Sequence, residues 1–283
     1  MTLAPYQRVL LWSGVVLLAS GLFHAGVWLA TGAGSLDGAV TWRKPIEFGI
    51  SGGLTAVTLV WVLARVRPNA FAGWTVALMV ACFVPETALI AAQQWRGVPS
   101  HFNSTTSFDA WVFAFMGYFV GIVVVGIAVL TVWVFVAALA DPATTFAIRV
   151  AMGFLLIGQG LGGLLLANGF ANIGPIANAS IVGVAGQLKV PHAVALHGLQ
   201  VMIVLAVLLE RSRLAPAQRM RAVAVCALGY TVLLVVAALQ ALGGRAPLDL
   251  APLVLLTTAS AALLIFWAYA RSSSAARSFL TRT

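Results

Sequence analysis

Residues 109–139 read DAWVFAFMGYFVGIVVVGIAVLTVWVFVAAL, a run in which Asp109 is the only charged residue. A helix on the surface of a soluble protein keeps a polar face, and this run has none. An α-helix needs about 20 apolar residues to cross the roughly 30 Å hydrocarbon core of a bilayer. The stretch therefore reads as a membrane span, long enough to tilt, protrude or kink.

Working outward, seven further runs of that kind lie at 8–31, 46–66, 72–94, 146–170, 192–209, 219–243 and 251–271. The composition agrees: 61% of residues are hydrophobic, 8% are charged and the mean hydropathy is +1.02, all far from soluble globular usage. The expected fold is an all-α integral membrane protein, a bundle of about eight transmembrane helices in one polytopic domain over 1–283.

The basic residues orient that bundle, because Lys and Arg are retained on the cytoplasmic side during insertion. Of the 16 Lys and Arg, only Arg43, Lys44, Arg96, Lys189 and Arg245 fall on the side opposite the N-terminus. An even number of spans with both termini cytoplasmic follows, with 95–108 and 171–191 outside. The net charge of +9 is thus a topology signal. The arginines flank helices and form no single stripe, so no nucleic-acid partner is expected; the lipid bilayer is.

The first run is too long for a secretory signal core and carries His24 and Trp28, so it counts as a span. Cys82 and Cys226 sit inside spans, without a disulfide framework or thiolate metal spacing. Gly158, Gly160, Gly162 and Gly163 imitate a nucleotide-binding loop, but no strand precedes them and they lie mid-span. Close helix packing by small residues is the better reading.

Polar residues gather at the outer half. Helix 1 contributes His24, and helix 2 opens with Arg43, Lys44 and Glu47. Helix 3 carries Glu86, Gln93 and Gln94. The connection QQWRGVPSHFNSTTSFD at 93–109 adds Arg96, His101, Asn103 and Asp109, and helix 6 enters with His192, His197 and Gln200. Ionisable groups in a bilayer are costly, about 2.5–3.5 kcal/mol for a central charge even on the lenient insertion scale, and face a bundle interior or a wet cavity. Glu86 is the sharpest case. It follows Pro85, whose missing N–H loosens the helix, and it shares a face with Gln93. The plain structural reading has Glu86 protonated, or paired with Arg43, Lys44 or Arg96. The functional reading makes it an acid or base.

His197 and Gln200 share a helix face, whereas His192, five residues before His197, lies about 140° around from it. That spacing is poor for two ligands to one metal. Pro191 suits the first helical position, which would leave His192 at a frayed entrance, free to swing inward. The expectation is that Glu86, Arg96, His101, His192 and His197 converge on one extracytoplasmic cavity.

RGVPSHFN at 96–103 and HAVALHGLQ at 192–200 resemble the paired signatures of a widespread family of uncharacterised bacterial multipass membrane proteins. WRKPIEF at 42–48 resembles that family's second-helix entrance. The family pattern is Arg-Gly-x-x-Ser-His-Phe-Asn, then Gly-Asp-x-Arg-x-x-His-Phe-x-x-Leu-His-x-x-Gln. The likeness runs from the first helix through the sixth. It departs at Gln187 and Lys189, which replace Asp and Arg, and at Ala193, which replaces Phe, so a salt bridge at the mouth of helix 6 is in doubt. The resemblance implies a bacterial cytoplasmic membrane and the location of a site, and nothing about its chemistry.

Three function classes remain open. One is a membrane enzyme acting on a lipid-soluble substrate, possible isoprenoids included. Here Glu86, His197, His101 and Asp109 are the catalytic candidates, and Arg96, Asn103, Gln93, His192, Gln200, Glu47 and Arg43 contact substrate. Nine Trp and fifteen Phe are available as walls for a hydrophobic small molecule. The second is a haem or divalent-metal redox protein with His24, His101 and His197 as ligands, although no pair has compelling spacing. The third is a transporter or sensor, against which stand the sparse polarity of the inner half and the lack of an inverted repeat.

Overall fold

A computed structural model describes residues 3–171, 180–249 and 251–280, and among them it contains eight helices and one short hairpin. The helices are α1 (Pro5–Ala30), α2 (Arg43–Leu63), α3 (Ala70–Trp95), α4 (Ser107–Ala137), α5 (Pro142–Ala171), α6 (Lys189–Glu210), α7 (Pro216–Leu242) and α8 (Pro252–Leu280). Each is long and apolar enough to cross a membrane, α8 over Pro252–Ser272. The all-α, eight-span fold expected from the apolar runs is the fold observed.

The first seven helices start two to four residues before the apolar runs, because the first turn of a helix can be polar, and α8 starts one residue after its run begins. Proline occupies the first helical position of α1, α5, α7 and α8, where the missing N–H costs nothing. The Asn69 side chain accepts from the N–H of Phe71 at 2.9 Å to cap α3. Asp141 accepts from Ala143 and Thr144 at 3.1 and 3.4 Å to cap α5. Burial opposes the charge of Asp141, but the bonds from Thr144 and Ala143 and the charge of Arg219 outweigh it and hold the carboxyl below its ordinary range.

The chain divides into two compact units, Met1–Trp133 with Gly169–Ala179, and Val134–Asn168 with Ser180–Thr283. In the first, α1 and α2 touch backbone to backbone through Gly14, Gly21, Gly49 and Gly53. The Trp133 indole donates to the carbonyl of Arg67 at 3.1 Å, which ties the far end of α4 to the α2–α3 turn. Trp42, Trp95 and His24 meet at the opposite end. The four helices therefore alternate in direction.

In the second unit α6 is the central helix, and its Leu199, Met202 and Leu205 have no exposed surface. Tyr230 of α7 donates to the carbonyl of Val194 at 2.7 Å, and Tyr269 of α8 donates to that of Val201. Of the expected outer loop, 172–179 lies outside the described residues. The rest forms an antiparallel hairpin, β1 (Ile181–Val182) with β2 (Gly186–Gln187), fastened to the α7–α8 turn by the N–H of Ala185 donating to Gly244.

Candidate functional site

Glu86 is 2% exposed, on the buried face of α3 with Cys82, Ile90 and Gln93. Its Oε2 has no hydrogen-bond partner. The three cations considered for it are placed elsewhere. Arg96 pairs with Asp109 at 2.7 Å, Arg43 with Glu47 at 3.6 Å, and the Lys44 ammonium lies 3.5 Å from the Ser100 hydroxyl. Glu86 and Gln93 are separated by about 10 Å along the helix axis. The intervening turn belongs to an apolar layer of Ile90, Val112 and Met116 packed with Phe48 and Leu89.

Above that layer sits a knot of polar groups. Asp109 is buried at 2% exposure, and its Oδ1 accepts from Arg96 at 2.7 Å and Gln93 at 2.9 Å. Arg96 also donates to the Gln93 side-chain amide oxygen, Oε1, and covers the ring of Phe108 at 4.8 Å. Oδ2 accepts from the Thr106 hydroxyl at 2.7 Å, while that hydroxyl accepts from the N–H of Asp109 at 3.1 Å. Thr106-x-x-Asp109 is thus a reciprocal cap on the start of α4, and that spacing was readable in the sequence. Both carboxylate oxygens of Asp109 are committed to holding the α3–α4 connection.

Each residue of the 96–103 signature has a place in that connection. Gly97, at φ +71°, ends α3 in the left-handed conformation that a Cβ penalises, and the N–H of Val98 returns to the carbonyl of Gln93. Ser100 bonds His101 Nδ1 at 2.9 Å, and the His101 ring lies between Phe48 and Phe113 at centroid distances of 6.0 and 6.1 Å. Phe102 adopts φ +56°, an uncommon conformation for a bulky residue, and packs its ring against Gly169, which has no side chain to obstruct it. Asn103 closes the turn, donating to the Pro99 carbonyl at 3.0 Å and accepting from Thr105.

His24, a ligand candidate under the haem reading, is engaged on both ring nitrogens. Nδ1 donates to the Ser20 carbonyl at 2.8 Å, and Nε2 accepts from the Trp95 indole at 3.2 Å. Both bonds are satisfied by one tautomer, so a metal would have to displace Trp95. Among the described residues no three His, Cys, Asp or Glu side chains are grouped to hold a metal ion.

The second unit holds His192, His197 and Gln200. His192 is not at a frayed entrance: α6 begins at Lys189, which puts Pro191 inside the first turn, where an N–H is dispensable. His192 Nδ1 donates to the carbonyl of Gly158 at 2.8 Å. A Cβ on Gly162 would meet the His192 ring at 3.0 Å, and one on Gly158 would meet Leu196 at 2.6 Å. Those two glycines serve close helix packing, whereas Gly160 and Gly163 have nothing within 4 Å. His197 and Gln200 flank a strip of α6 that includes the exposed Ala193 and Val204.

Of the residues proposed from sequence, His24, Arg43, Glu47, Glu86, Gln93, Arg96, His101, Asn103 and Asp109 belong to the first unit, and His192, His197 and Gln200 to the second. Within the first, Gln93, Arg96 and Asp109 meet, His101 joins Lys44 through Ser100, and Glu86 stands apart beneath the apolar layer. Sequence reasoning passed over Trp42, Trp95, Phe48 and Phe113, because an aromatic in an apolar run carries no sign of its neighbour.

A double-mutant cycle tests the knot. Arg96→Gln leaves a buried carboxylate without its cation, whereas Asp109→Asn leaves a half-exposed arginine that water can solvate. Breaking a buried pair from the cation side is the worse loss. The expected result in detergent is a fall of several degrees in unfolding midpoint for Arg96→Gln, a smaller fall for Asp109→Asn, and a double variant more stable than the sum. Additive losses would show that the two do not interact.

No protein-family model, curated protein or solved structure matches the chain.

Proposed function

We propose that this protein is a membrane-embedded enzyme that acts on a lipid-soluble substrate, an isoprenoid or similarly hydrophobic small molecule, by acid–base chemistry at Glu86. The observation that carries the reading is the buried Glu86 carboxyl whose Oε2 has no partner. Burying a polar group without a hydrogen bond costs on the order of 1–3 kcal/mol, and a carboxyl that only joined helices would be expected to spend its oxygens as Asp109 does. His101, in the aromatic bracket of Phe48 and Phe113 beyond the apolar layer, is the histidine of the first unit assigned as proton partner.

Access requires movement. A shallow apolar groove runs between α1 and α3 along Trp12, Val16, Val84 and Pro85, where a hydrophobic molecule can lie. Glu86 is turned about 100° from Pro85, onto the other face of α3. Pro85 supplies the compliance, since the carbonyl four residues earlier loses its donor.

The setting proposed with this activity is a bacterial cytoplasmic membrane, with both termini cytoplasmic and the 96–106 connection outside. The exposed positions Ser104 and Arg213 test the orientation as Ser104→Cys and Arg213→Cys. In intact cells an impermeant thiol reagent is expected to label the first and spare the second; the reverse pattern inverts the topology.

The activity is tested by incubating the protein in lipid nanodiscs with a panel of isoprenoid and other apolar small molecules and following products by mass spectrometry. Conversion by the natural sequence and none by Glu86→Gln supports the reading. Conversion unaffected by that substitution removes Glu86 from the chemistry. A haem absorption band or stoichiometric metal in the purified protein would favour a redox protein instead.

A further inference from the structure

Trp267 of α8 is flanked by two guanidinium groups from different helices. The Arg221 carbon lies 5.9 Å from the indole centroid and the Arg271 carbon 5.6 Å from it. Both arginines are exposed and Trp267 is partly buried. The pairing follows from how α7 and α8 meet. Gly229 brings the helices close enough that a Cβ there would fall 2.8 Å from the Ala261 carbonyl oxygen and 2.9 Å from Leu264 Cβ. The helices are antiparallel, so residues two turns before Gly229 face residues about two turns after Leu264. That register brings Arg221 opposite Arg271.

The ends of these helices are also where a bilayer changes from hydrocarbon to headgroup. Arg271 lies one residue before the end of the apolar span Pro252–Ser272, and indoles favour this level because one edge is apolar and the other wet.

We propose that Arg221, Trp267 and Arg271 form a binding site for the phosphate of an anionic membrane lipid. The guanidinium groups donate to the phosphate oxygens, in the geometry for which arginine is better suited than lysine, and the indole supports the upper acyl chains. The arginine partition puts this end of the helices on the cytoplasmic side, whose leaflet is rich in anionic lipid. The site is independent of Glu86 and of the proposed reaction.

The test uses the full chain in neutral detergent, titrated separately with phosphatidylglycerol, phosphatidylcholine and inorganic phosphate, with the thermal unfolding midpoint as readout. Phosphatidylglycerol is expected to raise the midpoint saturably and the other two to leave it unchanged. Each arginine near an anionic surface is worth about 1 kcal/mol, so Arg221→Gln is expected to weaken the apparent phosphatidylglycerol affinity about fivefold and Arg221→Gln/Arg271→Gln by more than tenfold. Should the double variant fail to fold, the single exposed substitution carries the comparison. An equal rise with phosphatidylcholine would reduce the effect to general lipid solvation, and an equal rise with inorganic phosphate would make it a free-anion site. Either result overturns the proposal, as does an undiminished response of the arginine variants.

Discussion

Glu86→Gln is expected to yield a protein that melts at or above the natural midpoint and has lost its activity by about 10²- to 10⁴-fold, the usual contribution of a general acid or base. The two halves of this result have separate causes. Stability is retained because the substitution preserves shape and because Oε2 gives up no hydrogen bond, having none. The neutral amide also avoids the cost of burying a charge at this position. Activity is lost because an amide cannot exchange a proton in the carboxyl's place. Turnover and thermal unfolding measured on the same preparation separate the outcomes. An active variant that melts much earlier would make Glu86 a structural residue and deprive the enzyme reading of its acid. His197→Gln belongs beside it: among the described residues no hydrogen bond engages the His197 side chain, so its loss is likewise expected to spare the fold.

The eight spans were legible because lipid imposes one requirement everywhere. Backbone polar groups must be satisfied within the segment, and the side chains around it must be apolar for a fixed length. Helix ends were less legible. α5 begins at Pro142 rather than near 146 because its first turn carries the Asp141 cap and Thr144, which hydropathy counts as loop. The polar cluster was legible as a stretch of sequence and not as a set of partners. The 96–103 signature falls on the α3–α4 connection, where its residues carry turn chemistry: a left-handed Gly97, an Asn103 that closes on Pro99, and an Arg96 anchored to Asp109. Whether Arg96 reaches Glu86 or Asp109 is decided by how α3 meets α4, and no spacing along one chain encodes that. The depth of Glu86 and its face shared with Gln93 were readable, because both follow from the helical period alone.

The packing of α1 on α2 gives the largest expected loss of stability, from Gly49→Val. A Cβ at position 49 would stand 2.6 Å from both the Cα and the N of Gly21 and 2.8 Å from the carbonyl oxygen of Leu17. All three atoms are backbone, so no rotamer change in a neighbour can make room. The reciprocal position is equally closed, since a Cβ on Gly21 would lie 2.7 Å from the N of Ile50. Two helices in lipid gain little from the hydrophobic effect and hold together by close contact between small residues; separating them to admit a valine forfeits that contact along both turns. Overpacking commonly costs about 1–3 kcal/mol, and a clash with rigid backbone belongs at the upper end or beyond. The built-in control is Gly121 in α4, where a Cβ would meet nothing within 4 Å. Gly121→Ala is expected to hold or raise the unfolding midpoint, because alanine favours the helix by about 1 kcal/mol over glycine. If Gly49→Val and Gly121→Ala melt alike, α1 and α2 do not depend on that contact, and the glycines there reflect helix flexibility instead of packing.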